Sequence, residues 1–323
     1  MTADILVLGQ ITLDDVVPAE PGLWQRRLGG NALYAAAGAR LWCDPGRIGV
    51  VARVGSGIDI DVASLLRDAG LTADGLSYVS DEPLTEWILY EEDGQRQSVP
   101  RNAHLRDPGA EAPELLARYL AHHERVSASA DDIPPDWLPA SAIHLAPQQR
   151  ARHGRACEAL AGRAKFLSVD PSPHYSRALD EAGLGILLRG ATAFLPSLAE
   201  VKHLSAGSDW DAVAARLGEA GLPEVVIKLG AGGALLHDSN SGLSAVLPAA
   251  ESSPRDLTGA GDAFCGAYAA CRGMGLTPRD SVMRANVAAA MAIECNGAEE
   301  AFGLSPAIAQ SRFSAYATTS VAP

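Results

Sequence analysis

Short apolar runs alternate with alanine-rich amphipathic stretches along most of this chain. The first run, residues 4–9, ends in glycine and has the length and composition of a central strand in a parallel sheet. Further strand-like runs, most of them followed by a predicted helix, lie at residues 47–54, 142–146, 166–170, 192–196 and 225–228. This alternation predicts an α/β fold, in which a mostly parallel sheet carries helices on both faces.

Two segments depart from this alternation, at residues 11–28 and 82–102. The first contains Pro18 and Pro21 and is irregular or typical of an edge strand. In the second, residues 84–90 alternate imperfectly, and the Asp-Gly pair that follows is a hairpin signal. The two segments are predicted to form a small β sheet set apart from the main sheet. The chain shows no repeats and no long low-complexity linker.

The composition narrows the classes of function. The chain has 323 residues, 47% of them hydrophobic, and a formal net charge of -13. There is ample material for a core, and so acidic a chain is not expected to bind nucleic acid or an anionic membrane. No apolar run is long enough to span a bilayer, and the N-terminus lacks the basic region of a signal peptide. Five cysteines without a Cys-x-x-Cys pair indicate reduced thiols in a cytoplasmic protein, and the histidine spacing predicts no zinc site.

A glycine-rich turn before an apolar helix is the strongest chemical signal. Thr258, Gly259, Ala260 and Gly261 lead into this helix, and such a turn leaves backbone N–H groups unpaired at the positive end of the helix dipole. Phosphate is the anion that suits those groups best. Asp262 lies at the mouth of the turn, where a carboxylate can act as base for a substrate hydroxyl. The alternative is that Asp262 simply caps the helix.

A second group of polar residues follows the first strand. Asp14 comes just past its carboxyl end, the side of an open α/β sheet where ligands collect, and its carboxylate can accept hydrogen bonds from a polyol. Gly29 and Gly30 precede an alanine-rich helix and allow a ligand to approach the backbone closely. Asn31 offers a donor and an acceptor at the helix start. An exposed loop aspartate and a capping asparagine are the alternatives.

The string Asp256-Leu-Thr-Gly-Ala-Gly-Asp262 resembles the Asp-Thr-x-Gly-Ala-Gly-Asp signature of the ribokinase-like (PfkB) carbohydrate kinases. The resemblance covers nearly the whole chain and implies a single domain over residues 1–323. The implied fold is three-layered, α/β/α, with a central, mostly parallel sheet and a lid formed by the small sheet. In the family the final aspartate, here Asp262, is the catalytic base, and Gly259, Ala260 and Gly261 form the anion hole.

The resemblance also assigns the acceptor site. The family's first signature, Gly-Gly-Asn-x-x-Asn, binds the sugar and matches Gly30 and Asn31, whereas Tyr34 stands in place of the second asparagine. Asp14, Gly30 and Asn31 are therefore expected to orient the acceptor. Trp24, Trp87 and Arg101 are the expected lid residues, although both tryptophans can instead pack the small sheet.

The nucleotide side follows from three further matches. Gly230 and Gly233 fit the family's Thr-x-Gly-x-x-Gly loop, and Lys228 stands in place of the threonine. Two interpretations of Lys228 are open: it contacts a phosphate as a point charge, or it is a surface residue at a strand end. Asn286 falls where the family lines its adenine pocket, and residues 296–298 fall at its monovalent-cation loop. Glu200 matches the Asn-x-x-Glu motif, whose glutamate holds Mg²⁺ through water. Because Ser197 replaces the asparagine, an ordinary capping box is the alternative.

These matches predict an ATP-dependent kinase that transfers the γ-phosphoryl group to a hydroxyl of a sugar or sugar-like polyol. ATP and Mg²⁺ are expected, and K⁺ is a further expectation at Asp256. The alternatives are a nucleoside kinase of the same fold and a non-catalytic ligand-binding relative. A homodimer formed through the lid is a further expectation, drawn from similar proteins.

Overall fold

The computed structural model describes residues 2–17, 25–90, 96–100, 121–205, 207 and 209–320. The strands in the described residues are β1 Ile5–Leu8, β2 Thr12–Val17, β3 Gln25–Gly29, β4 Ile48–Val54, β5 Leu76–Tyr78, β6 Glu86–Tyr90, β7 Arg96–Pro100, β8 Ala140–Leu145, β9 Ala164–Val169, β10 Ala193–Phe194, β11 Glu224–Lys228, β12 Ala234–Asp238 and β13 Leu243–Leu247. The α-helices are α1 Asn31–Arg40, α2 Val62–Asp68, α3 Arg150–Leu160, α4 Pro173–Ser176, α5 Glu181–Leu187, α6 Leu198–Val201, α7 Trp210–Glu219, α8 Ala260–Gly273, α9 Pro278–Ala292, α10 Ala298–Phe302 and α11 Pro306–Ser320. Residues 121–126 are also helical. Among the helices described, none combines the length and apolar character needed to cross a membrane.

Nine strands form the central sheet, in the order β13-β12-β11-β10-β9-β8-β1-β4-β5. The strands from β11 to β5 pair in parallel, whereas β12 and β13 pair antiparallel at one edge. Parallel neighbours need long connections, and these are the helices that the alternating pattern predicted. The predicted α/β fold with a mostly parallel sheet is therefore confirmed.

The strand β1 shows why the sheet has two apolar faces. Its four residues are all buried, and alternate side chains point to opposite faces. Ile5 and Val7 pack in a core with α1, α8 and α9, whereas Leu6 and Leu8 pack in a second core with α3, α5 and α7. A strand covered on both faces must be apolar throughout, which is the pattern read from the sequence.

Glycines let α1 and α8 approach at backbone distance. A Cβ atom added to Gly38 would lie 2.1 Å from the carbonyl oxygen of Ala263, and one added to Gly266 would lie 1.9 Å from that of Ala35. Any larger residue would push the helices apart. This contact brings the first turn of α1 beside the first turn of α8, and these two turns carry the predicted acceptor and phosphate motifs.

Four strands form the second, smaller sheet, in the order β3-β2-β6-β7. Its outer pairs are antiparallel and its central pair, β2 with β6, is parallel. The small sheet predicted from residues 11–28 and 82–102 is therefore confirmed, although its role as a lid and the single-domain boundary stay predictions. Trp24 and Arg101 lie outside the described residues, as does the side chain of Trp87.

Candidate active site

The predicted phosphate turn does lead into a helix. Gly259 caps α8 in the left-handed conformation, with φ of 78°, which an L-residue adopts only with strain. A Cβ atom at Gly259 would also lie 2.2 Å from the ring of Tyr34. The position requires glycine for two reasons, and the ring of Tyr34 forms one wall of the turn. Tyr34 is buried, so the residue that departs from the family signature packs between the two helices.

Asp256 holds the segment that leads into this turn. Its Oδ1 accepts a hydrogen bond of 2.8 Å from the N–H of Thr258, and its Oδ2 forms a 3.0 Å ion pair with Arg27 of β3. Asp256 is buried, and the N–H groups of Arg255 and Asp256 both donate to the carbonyl oxygen of Ile293. These bonds fix the backbone that precedes the glycine turn at residues 258–261, hereafter the anion turn.

Lys228 reaches the anion turn from the end of β11. Its Nζ lies 2.6 Å from Oδ2 of Asp170 and 3.3 Å from Sγ of Cys265. A Cβ atom built at Gly261 would lie 3.5 Å from the same Nζ. The ammonium group is thus held beside the N-terminus of α8 as one half of an ion pair with Asp170. Lys228 is therefore a paired, 13% exposed side chain rather than a solvated surface residue, and its contact with a phosphate stays a prediction.

Burial and neighbouring charges shift the pKa values of Asp170, Lys228 and Cys265. Burial raises the pKa of Asp170 to about 7, with further raising by Glu200 and Asp262, although Lys228 lowers it. Burial alone would lower the pKa of Lys228, but Asp170 and Glu200 hold it above its ordinary value, so the lysine stays charged. Burial and Asp170 raise the pKa of Cys265 well above its ordinary value, which leaves a protonated thiol rather than a nucleophile.

Glu200 is close enough to act electrostatically on Asp170 and Lys228. Its carboxylate accepts a 2.6 Å hydrogen bond from the N–H of Ser197, so it does cap α6 as the capping-box interpretation expects. Capping uses one carboxylate oxygen and does not prevent the other from meeting a metal-bound water. The role of Glu200 in the outer shell of Mg²⁺ remains a prediction. Among the described residues, no cluster of three or more His, Cys, Asp or Glu side chains could hold a metal alone.

The acceptor motif is built at the ends of β1 and β8. Asn31 accepts a 2.7 Å hydrogen bond from the N–H of Gln10 and donates one of 3.0 Å to the carbonyl oxygen of Pro147. Gly30 has φ of 108°, and a Cβ atom there would lie 2.3 Å from the carbonyl oxygen of Gln10. Asp14 is buried and accepts a 2.9 Å bond from the Thr12 hydroxyl. The motif thus joins two strand ends into one wall, and its contacts with an acceptor remain predictions.

The nucleotide loop lies between β11 and β12, with Gly230 and Gly233 both at positive φ. A Cβ atom at Gly233 would lie 2.0 Å from the carbonyl oxygen of Leu247, so the loop packs directly on the segment after β13. Asn286 of α9 is buried and donates a 2.9 Å hydrogen bond to the carbonyl oxygen of Pro248 in that segment. The predicted nucleotide residues therefore belong to one contiguous region, although their contacts with ATP remain predictions.

Sequence reasoning missed two residues of this site. Asp170 follows β9 at the carboxyl end of the sheet, where ligands of open α/β sheets collect, so its position could have marked it as a site residue. Its ion pair with Lys228 could not be predicted from the sequence. Arg27 lies in a segment that looked irregular, and nothing in the local pattern pointed to Asp256, which is 229 residues away.

Comparisons with known proteins identify the family and the fold of this chain. The model of the pfkB family carbohydrate kinases matches residues 3–302. The nucleoside kinase of Burkholderia thailandensis, solved with inosine, has a TM-score of 0.72 and 19% identity, covering 96% of this chain and 98% of that one. A putative ribokinase II from E. coli, solved with ATP and Mg²⁺, has a TM-score of 0.71 and 20% identity, covering 97% and 99%.

The ribokinase of Arabidopsis thaliana, solved with ribose and ATP, has a TM-score of 0.68 and 18% identity, covering 97% and 99%. Among curated proteins, the search found no match. At these identities the structural likeness establishes the fold. The family match extends over most of the chain, and the chain therefore belongs to the pfkB family of carbohydrate kinases.

Proposed function

We propose that this protein is an ATP-dependent kinase that phosphorylates a hydroxyl of a sugar or sugar-like polyol. One observation carries the proposal: the glycine turn leads into the first turn of α8, which contains Asp262, and the ammonium group of Lys228 lies beside Gly261 of the same turn. Backbone N–H groups at a helix N-terminus and a fixed cation suit a phosphoryl group, and a carboxylate beside them suits an attacking hydroxyl.

The chemistry assigned to the chain is positioning and charge stabilisation. Asp262 accepts the proton of the acceptor hydroxyl, whose oxygen then attacks the phosphoryl group. The N–H groups of Gly259, Ala260 and Gly261 donate to the transferring phosphoryl oxygens, and Lys228 offsets their negative charge. Magnesium would supply neutralisation of the phosphate charge of ATP, and Glu200 would hold its hydration shell. Gly230, Gly233 and Asn286 form the proposed nucleotide pocket.

The acceptor is oriented by Asp14, Gly30 and Asn31, and the small sheet is the proposed lid that excludes water as a competing acceptor. A nucleoside remains the alternative acceptor. Tyr34 supports that alternative, because its ring packs on Gly259 and supplies no amide for a sugar hydroxyl. The similar solved structures include proteins with inosine and with ribose, so they favour neither acceptor. A cytoplasmic location and a dimer formed through the lid also stay proposals.

The test is acceptor-dependent release of ADP over a panel of sugars, polyols and nucleosides. With the best acceptor, Asp262→Asn should lower kcat by about two to four orders of magnitude, the usual contribution of a positioned general base. Asp209→Asn is the matched control, because Asp209 is an exposed cap at the start of α7. Wild-type turnover in Asp262→Asn would remove Asp262 from its role. Binding of panel compounds without ADP release would favour the non-catalytic alternative.

A further inference from the structure

We propose that the guanidinium of Arg27 takes the place of a monovalent cation at Asp256, so that Arg27 is a positioning residue for the anion turn and K⁺ is not required. The inference rests on the proposed kinase activity. It concerns the ion pair between half-buried Arg27 and buried Asp256 in the segment before the turn, with 3.0 Å between Nη1 and Oδ2.

Both carboxylate oxygens of Asp256 have partners. One accepts the N–H of Thr258, two residues along the chain, and the other accepts from Arg27. The Asp256 side chain is 5% exposed and that of Arg27 is 17% exposed. A buried carboxylate needs a compensating positive charge, and a buried ion pair supplies it without any ion from solution.

Arg27 also lies against the segment where the family resemblance puts the monovalent-cation loop. A Cβ atom added to Gly297, which precedes α10, would lie 3.4 Å from Cδ of Arg27. The arginine stem therefore runs between Asp256 and residues 296–298, the two parts of the expected ion site. These residues do not fit a potassium ion, because a second cation at Asp256 would be repelled by the guanidinium already bonded to it.

Arg27 belongs to β3, so its ion pair with Asp256 also connects the small sheet to the loop before α8. Arg27 is directly opposite Asp14 in the pairing of β2 with β3, so both side chains lie on the same face of the small sheet. One strand of the proposed lid is thus bonded to the loop that shapes the anion turn. A dissolved ion would neutralise Asp256 equally well but would not tie it to the small sheet. The guanidinium does both, which is why we assign it a positioning role.

The first test compares chloride salts of potassium, sodium and tetramethylammonium at equal ionic strength. For the wild-type protein we expect the same rate, within about twofold, in all three salts, and the same melting temperature. A wild-type rate or melting temperature raised specifically by potassium would overturn the proposal. The melting measurement needs no substrate, so it tests the inference even if the panel of acceptors shows no activity and the proposed function fails.

The second test removes the guanidinium with Arg27→Met. Loss of a charge-assisted bond to a buried carboxylate should lower kcat by about tenfold to a hundredfold. Part of the loss should return with potassium or with added guanidinium chloride at millimolar concentration, and potassium should now raise the melting temperature. Arg26→Met is the matched control, because Arg26 is the adjacent, exposed arginine of the same strand. It should change neither property.

Arg27→Lys covers the case in which Arg27→Met does not fold. It keeps the charge on a shorter, single-point donor and should keep independence from potassium while losing part of kcat. Wild-type kcat in Arg27→Met, or a loss that neither cation restores, would contradict the proposal. So would a potassium requirement in Arg27→Lys equal to that in Arg27→Met.

Discussion

Replacing Lys228 by methionine is the most informative perturbation of the active-site cluster. The change removes the ammonium group that lies 2.6 Å from Asp170 and keeps an unbranched stem. Asp170 is buried and the Lys228 side chain is 13% exposed, so Asp170 would be left without its cation. Among the described residues its other oxygen, Oδ1, has no hydrogen-bond partner to compensate for the loss. Breaking a buried pair in this way costs about 3–5 kcal/mol. We expect the free energy of unfolding to fall by that amount at pH 8.

The loss of unfolding free energy in Lys228→Met should grow as the pH rises above 7. The folded-state pKa of Asp170, about 7, lies above its ordinary value of 3.8, so the folded protein binds this proton more tightly than the unfolded chain does. Such a group contributes stability as the pH falls below its folded pKa. Because Lys228 lowers that pKa, the variant protonates Asp170 at a higher pH than the wild type does. Its deficit should grow above pH 7 by about 1.4 kcal/mol per pH unit and level off below pH 7.

Urea unfolding at several pH values between 6 and 9 would measure this deficit for Lys228→Met, Asp170→Asn and the double variant. The double variant has no unpaired carboxylate, so the coupling energy should be about 1–3 kcal/mol. A deficit that stays constant from pH 6 to pH 9 would refute the electrostatic argument, and so would a coupling energy near zero. In the same variants, kcat should fall with loss of Lys228, since its charge lies beside the anion turn.

Two further predictions test the backbone turn and the second core. Gly259→Ala should lower the melting temperature and kcat more than Gly162→Ala does. Both glycines have positive φ, but of the two only a Cβ at Gly259 would meet another side chain, the ring of Tyr34. Equal losses in the two variants, measured by thermal melting and by kcat, would remove the steric argument. His153 is buried, and burial lowers its pKa to about 4, so the unfolded chain takes up its proton first as the pH falls from 6.5. Stability should therefore drop by about 1.4 kcal/mol per pH unit between pH 6.5 and 4 from this group. The total slope should be smaller by that amount in His153→Gln, whose amide can still donate to the Ala146 carbonyl. Superimposable pH profiles for His153→Gln and the wild type would refute this.

Local patterns gave the fold class and the position of the phosphate turn. Strands buried on both faces must be apolar along their length, so runs such as residues 4–9 are visible without knowledge of their neighbours. A glycine turn before a helix is likewise a local property, and the turn predicted at residues 258–261 does lead into α8, with Gly259 in the left-handed conformation. The sequence also showed two glycine-containing motifs beside predicted helices, and these motifs face each other across the contact between α1 and α8.

Only the tertiary structure decided how the charges pair. Lys228 and Asp170 are 58 residues apart, Arg27 and Asp256 are 229 apart, and a charged residue at a strand end has the same local pattern whether it is buried or solvated. The order of strands brings the carboxyl ends of β9 and β11 to the same edge, and the small sheet carries Arg27 to the loop before α8. Backbone conformation follows from neighbouring residues along the chain, whereas the partner of a buried charge depends on which distant segments the fold brings together.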